Sequence, residues 1–193
     1  MAWLKEGVFV YYKKYESERI YLSPLCVNDY QLCTKWVNDE TLSRGTGFFK
    51  VNFTELNEKE WMENVNKKGD HHYAIVRKED DVFLGIYGLE LKDDISRRYR
   101  VGGFIGEKEE RGKGYGTEAL KLITKFGFEV LNAETIYSGI FVFNEASLKA
   151  AIKAGYTVAG KYRNSYFYNG EYHDQHCIEI IREDYINSKK TIN

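Results

Sequence analysis

The feature that most limits what this chain can fold into is the run Val101-Gly102-Gly103-Phe104-Ile105-Gly106-Glu107-Lys108-Glu109-Glu110-Arg111-Gly112-Lys113-Gly114-Tyr115-Gly116-Thr117-Glu118-Ala119-Leu120. A β-rich stretch passes through a charged turn and a glycine-rich loop into a segment with helical spacing. A loop that enters a helix N-terminus exposes unpaired backbone N–H groups and the positive end of the helix dipole. That arrangement binds a phosphate without a specific side chain. Gly112, Gly114 and Gly116 let the backbone bend and let an anion approach closely, and Arg111 and Lys113 add positive charge. A glycine turn with a purely structural role is the competing reading. A Walker loop needs Gly-Lys-Ser/Thr after four spacer residues, which Gly112-Lys113-Gly114 does not supply. The dinucleotide pattern GxGxxG fails too, because the glycines fall at every second position and the strand follows a meander. What remains is Arg-x-x-Gly-x-Gly at Arg111, Gly114 and Gly116.

The rest of the chain supplies the layers around that loop. Ile20–Leu25, stopped by Pro24, reads as a first strand, with Asn28 or Asp29 capping a helix that carries Leu32, Trp36 and Val37. Ser43-Arg44-Gly45-Thr46-Gly47 reads as a loop. Thr54 opens a second helix, with Asn57 as a competing cap and Trp61, Met62 and Val65 on its apolar side; Lys67-Lys68-Gly69-Asp70 closes it. His72–Lys78, Val82–Leu91 and Tyr99–Gly106 then form three β-rich runs separated by charged turns, the pattern of an antiparallel meander. Gly114–Val130 places Ala119, Leu120, Ile123, Phe126 and Val130 at helical spacing. A strand at Glu134–Phe143, a helix at Ala146–Ala154 ended by Gly155, and strands near Tyr156–Phe167 and Gln175–Arg182 complete the order, with Asn169-Gly170 as a tight turn. The sum predicts a mixed α+β layer sandwich. No repeat, linker or low-complexity tract interrupts it; only Met1–Tyr15 and Ser188–Asn193 read as peripheral.

Composition narrows the function classes. At 193 residues one domain spanning the whole chain is expected, and 28 basic against 29 acidic residues give no basic field for broad nucleic-acid binding. No apolar run approaches the roughly 20 residues that cross a bilayer, and the N-terminal stretch lacks the pattern of a signal peptide. Cys26, Cys33 and Cys177 form no disulfide framework or metal spacing, so a reducing, cytoplasmic setting without membrane association is expected. Tyrosines cluster at both ends, facing half-buried strands or lining an apolar groove.

On the loop Arg111-Gly112-Lys113-Gly114-Tyr115-Gly116 and the elements around it, the chain resembles the GNAT superfamily of acetyl-CoA-dependent N-acetyltransferases. Tyr21-Leu22-Ser23-Pro24-Leu25, Trp36-Val37-Asn38-Asp39, Asn144-Glu145-Ala146-Ser147, Ala154-Gly155-Tyr156, Asn169-Gly170-Glu171-Tyr172-His173-Asp174 and Arg182-Glu183-Asp184-Tyr185 resemble its ribosomal-protein N-acetyltransferase branch, over about residues 18–185. The resemblance implies a mostly antiparallel sheet of about six to seven strands, helices on both faces and a splayed cofactor cleft. It implies backbone groups around Phe104 and Ile105 on the pantetheine arm, with Arg111, Gly112, Lys113, Gly114, Tyr115, Gly116 and Thr117 around the pyrophosphate. In similar enzymes the residue at Asn144 contacts the pantetheine and that at Ser147 lies near the sulfur; here the same pair also fits a plain helix cap.

Acetyl transfer to an amine needs a base for the ammonium proton and donors for the oxyanion, but no metal. Glu107, at the strand end, is the candidate base, against a reading as one solvated charge in Glu107–Glu110. A tyrosine that many relatives use as acid is replaced by Ala151; Ser147 is the substitute candidate, ahead of Tyr156. His71, His72, His173 and His176 show no metal spacing. Trp36, Tyr87, Glu90 and Tyr168, with Phe48, Phe49, Tyr166 and Phe167, are the candidate acceptor residues, an aromatic groove with carboxylates suited to a cationic amine or a peptide N-terminus. Peptide N-termini, amino sugars, polyamines and other small amines stay open as acceptors, and a homodimer is compatible. A non-catalytic CoA-sensing module and a nucleotide-binding enzyme are the alternatives.

Overall fold

Period-two runs of β-branched and aromatic residues become strands, and the capped 3.6-period runs become helices, in a computed structural model that describes residues 11–190. The order is β1 (Tyr15–Glu16), β2 (Ile20–Ser23), α1 (Tyr30–Val37), α2 (Glu40–Thr46), α3 (Glu55–Lys68), β3 (His71–Arg77), β4 (Phe83–Asp93), β5 (Arg98–Ile105), α4 (Tyr115–Glu129), β6 (Thr135–Phe141), α5 (Glu145–Lys153), β7 (Thr157–Tyr168), β8 (Glu171–Ile181) and α6 (Arg182–Lys190). The eight strands form one sheet in the order β1-β2-β3-β4-β5-β6-β8-β7.

Both faces of the sheet are covered, because alternate residues of the same strands are apolar. Ile20, Leu22, Tyr73 and Ile75 pack with Ala119, Ile123 and Phe126 of α4 and Ala151 of α5. Tyr21, Ala74 and Val76 face the other way, onto Cys33 and Trp36 of α1, Leu42 of α2, and Met62 and Val65 of α3. Every strand pair is antiparallel except β5 with β6, which run parallel. That parallel contact covers only Arg98↔Thr135, Tyr99↔Ile136 and Arg100↔Tyr137. Beyond it β5 continues to Ile105 along β4, and β6 continues to Phe141 along β8. The sheet therefore splits into a V-shaped gap between the C-terminal halves of β5 and β6, as expected for a splayed cleft.

Several expectations are corrected. The sheet has eight strands, not six or seven, since Tyr15–Glu16 pairs with Leu22 and Tyr21. Tyr15 is not peripheral: its ring lies 4.8 Å from that of Phe126. The expected loop at Ser43–Gly47 is the end of α2, which Asp39 caps by accepting from the Leu42 N–H at 3.0 Å and Gly47 ends. Asp29 precedes α1 without capping it, because its carboxylate accepts the Tyr11 hydroxyl at 2.8 Å instead. Val130 is 55% exposed and does not join the core. The last strand stops at Ile181, and Arg182 begins α6, whose Tyr185 stacks on Phe128 at 4.7 Å. Expected features within Met1–Val10 and Thr191–Asn193 lie outside the described residues. Thr54 does cap α3, accepting from the Asn57 N–H at 3.2 Å, and Asn169 and Gly170 take the positive φ values of a tight turn.

Candidate active site

The loop between β5 and α4 leaves the backbone N–H groups of a helix start without a side-chain cap. Gly114 has φ +91°, a backbone state that a Cβ would strain, and it stands at the N-cap with no side chain in the capping position. The first helical bond runs from the Glu118 N–H to the Gly114 carbonyl at 3.1 Å. The N–H groups of Tyr115, Gly116 and Thr117 therefore have no helical acceptor and point out of the helix start. Above Gly112 there is open space within 4 Å of where a Cβ would stand, and Gly116 leaves 3.6 Å to the Tyr87 hydroxyl.

Charged side chains hold this loop in place. Arg111, expected to add charge to an anion, donates from Nε to the Ile105 carbonyl at 3.0 Å and from its terminal nitrogen to the Gly106 carbonyl at 2.5 Å. Lys113 pairs with Glu110 at 3.0 Å, and Glu110 with Arg77 at 3.0 Å. Arg19, which carried no sequence signal, donates to the Lys113 carbonyl at 3.0 Å, pairs with Glu118 at 2.8 Å and lies 4.6 Å from the centre of the Tyr115 ring. Burial pushes the Glu118 carboxyl up, but the Arg19 N–H, the Ser17 hydroxyl and the Arg19 guanidinium together hold it below the usual value.

The gap opens beside this helix start. A Cβ on Gly85 would stand 2.1 Å from the Phe104 carbonyl, so that carbonyl faces β4. Successive strand residues point their backbone groups to opposite sides. Val101, Gly103 and Ile105 therefore turn toward the gap, while the backbone groups of Phe104, where a pantetheine contact is expected, face β4. The Ile105 carbonyl is taken by Arg111, which leaves its N–H. On the far side Asn144 caps α5, accepting from the Ser147 N–H at 3.2 Å and donating to the Gly45 carbonyl at 3.0 Å. One side chain thus ties α2 to the start of α5, and Ser147 sits half-buried in the first turn.

Glu107 lies two residues past the end of β5. Its Oε1 accepts the Trp36 indole N–H at 3.0 Å. Trp36 is 2% exposed, so it belongs to the core and not to an acceptor surface. It reaches Glu107 because Gly106 has no side chain; a Cβ there would lie 2.0 Å from the indole ring. Ala151 is 1% exposed and packs in the α4 layer, and Tyr156 is buried with its hydroxyl 2.7 Å from that of Thr124. Tyr156 packs, as expected of an aromatic at that position.

The other acceptor candidates fall into different places. Tyr87 lies on the α4 face, half-buried beside Gly116, with its hydroxyl pushed up to about 12 by burial. Glu90 stands opposite Arg100, where β5 and β6 are still paired, and it salt-bridges Lys92 at 2.5 Å. Phe167 is 49% exposed and meets Tyr172 on the outer side of β7. Tyr168 and Tyr166 do form a cluster, with Phe49, Phe141 and Phe143: Tyr166 stacks on Phe141 at 3.8 Å, and Phe49 lies 4.8 Å from Tyr168. The 3-10 turn Phe48–Lys50 links this cluster to β5, since Phe48 touches Phe104 edge-on at 6.3 Å. Arg44 and Lys50, and not the expected carboxylates, lie against the rings of this cluster.

Cys33 is fully buried, its thiol raised by burial, while Cys26 and Cys177 are half-buried and all three are free. No helix among the described residues is long and apolar enough to cross a membrane.

Comparison with known proteins gives these features a family. The acetyltransferase (GNAT) domain matches residues 19–157. A probable N-acetyltransferase of Bacillus subtilis, YjcK, is 27% identical over 147 residues, 75% of this chain and 80% of that protein. The spermidine N(1)-acetyltransferase of Escherichia coli K12 is 34% identical over 106 residues, 54% of this chain and 57% of its own. Among solved structures, spermidine N-acetyltransferase from Vibrio cholerae in complex with CoA and spermine superimposes with a TM-score of 0.77 at 19% identity, over 87% of this chain and 98% of that one. Since the domain match takes in most of the chain, from β2 to the start of β7, the chain belongs to the GNAT family and is an N-acetyltransferase.

Proposed function

We propose that this chain moves the acetyl group of acetyl-CoA to a primary amine held in the gap between β5 and β6. The observation that carries this reading is the cradle of free N–H groups at Tyr115–Thr117 opening beside unpaired strand edges. The fit is chemical as well as spatial. A pyrophosphate needs clustered N–H donors at a helix start, and an amide-bearing arm needs an open strand edge. Tyr115, Gly116 and Thr117 would hold the pyrophosphate; Val101, Gly103 and Ile105 would pair with the arm as an added strand. When bound, acetyl-CoA supplies an activated thioester.

The chain's own groups do the rest. Glu107, held by Trp36, takes the ammonium proton directly or through water, so that a neutral amine attacks. Asn144 sets the start of α5, and the Ser147 hydroxyl in its first turn serves as the donor to the departing sulfur. Similarity to spermidine N-acetyltransferases supports a small amine as acceptor.

The test is thermal melting with acetyl-CoA, CoA, ATP and NAD on the wild type and a Gly114→Glu/Gly116→Glu variant. Ligands that bind only the native state raise the melting temperature. A rise with acetyl-CoA and CoA alone, lost in the folded variant and joined by thiol release with amines, supports the reading. No rise at millimolar acetyl-CoA defeats it.

A further inference from the structure

We propose that the acceptor amine carries an anionic group, a carboxylate or a phosphate, that docks on Arg44 and Lys50; this rests on the acetyl-transfer reading above. An aromatic cluster at the mouth of the gap is where a polyamine would stack its ammonium groups. Here the chain's own cations already cover those rings. The Arg44 guanidinium carbon lies 4.8 Å from the centre of Phe143 and 5.4 Å from that of Tyr168. The Lys50 ammonium lies 4.8 Å from the centre of Tyr166 and 5.8 Å from that of Phe49. Among the described residues neither cation has an acidic partner within ion-pair distance. Both are exposed and so open to a ligand from solvent.

A second observation points the same way. Tyr166 is 6% exposed, and its hydroxyl is buried with no hydrogen-bond partner among the described residues. A buried phenol without a partner is costly and is relieved by an acceptor oxygen. Stacking on Phe141 fixes the ring at the end of β6, where the gap is open.

This rim belongs to the same cleft as the cradle. The turn Phe48–Lys50 leans on Phe104 of β5 at one end and on Tyr166 of β7 at the other. Asn144 joins Gly45, one residue from Arg44, to the start of α5. A guanidinium and an ammonium thus border one side of the gap, with the Tyr166 phenol buried beneath the Lys50 ammonium and Glu107 on the β5 side. The carboxylate suits the reacting ammonium, and the basic rim suits an anion carried elsewhere on the same molecule by charge-assisted hydrogen bonds. A polyamine would instead bring further positive charge against two unneutralised cations.

The test is steady-state thiol release with matched acceptors: glucosamine against glucosamine 6-phosphate, β-alaninamide against β-alanine, and spermidine. Wild type is expected to favour the anionic member of at least one pair by about tenfold or more in kcat/KM, with spermidine below it. Which pair responds separates phosphate from carboxylate. Arg44→Glu/Lys50→Glu is expected to reverse the ranking while the melting rise with acetyl-CoA is unchanged. A wild type that prefers spermidine or the neutral members, or a ranking that survives charge reversal, overturns the proposal. If no amine turns over, the acetyl-transfer reading fails, and docking is read from melting with the same pairs. A rise caused by the anionic member and lost on charge reversal supports docking; no rise overturns it.

Discussion

Replacing Trp36 by Phe tests how the candidate base is held. The indole N–H lies 3.0 Å from Glu107 Oε1, and the indole itself is 2% exposed. A hydrogen bond to a charged acceptor contributes about 1.5–3 kcal/mol. Glu107 is half-buried, so water can replace part of the lost donor, which reduces the figure to about 1 kcal/mol. Shrinking the ring in a packed core adds about 1–2 kcal/mol through the cavity. The total, about 2–3 kcal/mol, would appear as a lower melting temperature. If the indole positions the base, kcat falls about five- to tenfold, the kinetic equivalent of about 1 kcal/mol. Glu107→Gln keeps an acceptor for the indole and costs little stability, but it removes the base and should lower kcat by about 10²–10⁴. Thiol release at saturating acetyl-CoA gives the rates, and the melting rise with CoA shows that the cofactor loop is intact. The double variant should be no slower than Glu107→Gln alone, because Trp36 acts through the carboxylate. Glu107→Gln with wild-type kcat would refute the assignment outright; a Trp36→Phe effect that persists at full size in the Gln background would refute the positioning role.

Other sites give shorter tests. Gly114→Ala forces a Cβ into φ +91° and should cost about 1–2 kcal/mol, with a smaller melting rise for acetyl-CoA than in wild type. Asn144→Ala removes both the α5 cap and the tether to Gly45; a stability loss of about 1–2 kcal/mol is expected, with KM for the acceptor raised, and unchanged values would place its role elsewhere. Tyr156→Phe leaves the buried Thr124 hydroxyl without its 2.7 Å partner and should cost about 1–3 kcal/mol in denaturant unfolding. The folded-state pKa of Glu118 lies below the usual 4.5, so its contribution to stability is complete above that value and disappears as pH falls through the depressed one. Glu118→Gln should therefore flatten the acid limb of stability against pH, and an unchanged limb would show that the Arg19 contacts are not coupled to folding.

Local chemistry made much of the fold legible in advance. The Thr54 cap, the Asn169-Gly170 turn, the meander and the glycine loop ahead of α4 each rest on a few adjacent residues, so they appear where the chain predicts them. The helix α2 was hidden because Arg44, Gly45 and Gly47 read as loop, and only the Asp39 cap and the packing of Leu42 outweigh that. The strand at Tyr15–Glu16 is two residues long, and its pairing to β2 and the contact of Tyr15 with Phe126 define it.

The site divides the same way. Residue order determined the uncapped helix start by itself, because backbone N–H groups there need no distant partner. Which side chains surround it was a matter of strand parity and sheet order, which no local pattern contains. One position of parity sends the Phe104 carbonyl to β4 and turns Gly103 toward the gap. Sheet order places Tyr87 on the α4 face and Trp36 in the opposite core. Folding also turns Arg111 back onto the end of β5, brings Arg19 against the loop from about a hundred residues away, and lays Arg44 and Lys50 over rings from β6 and β7. The sequence by itself determined that a glycine-rich loop enters a helix start with no side-chain cap, and where. Only the tertiary structure decided which charged side chains gather around that loop and over the aromatic cluster, because they meet through contacts between distant segments.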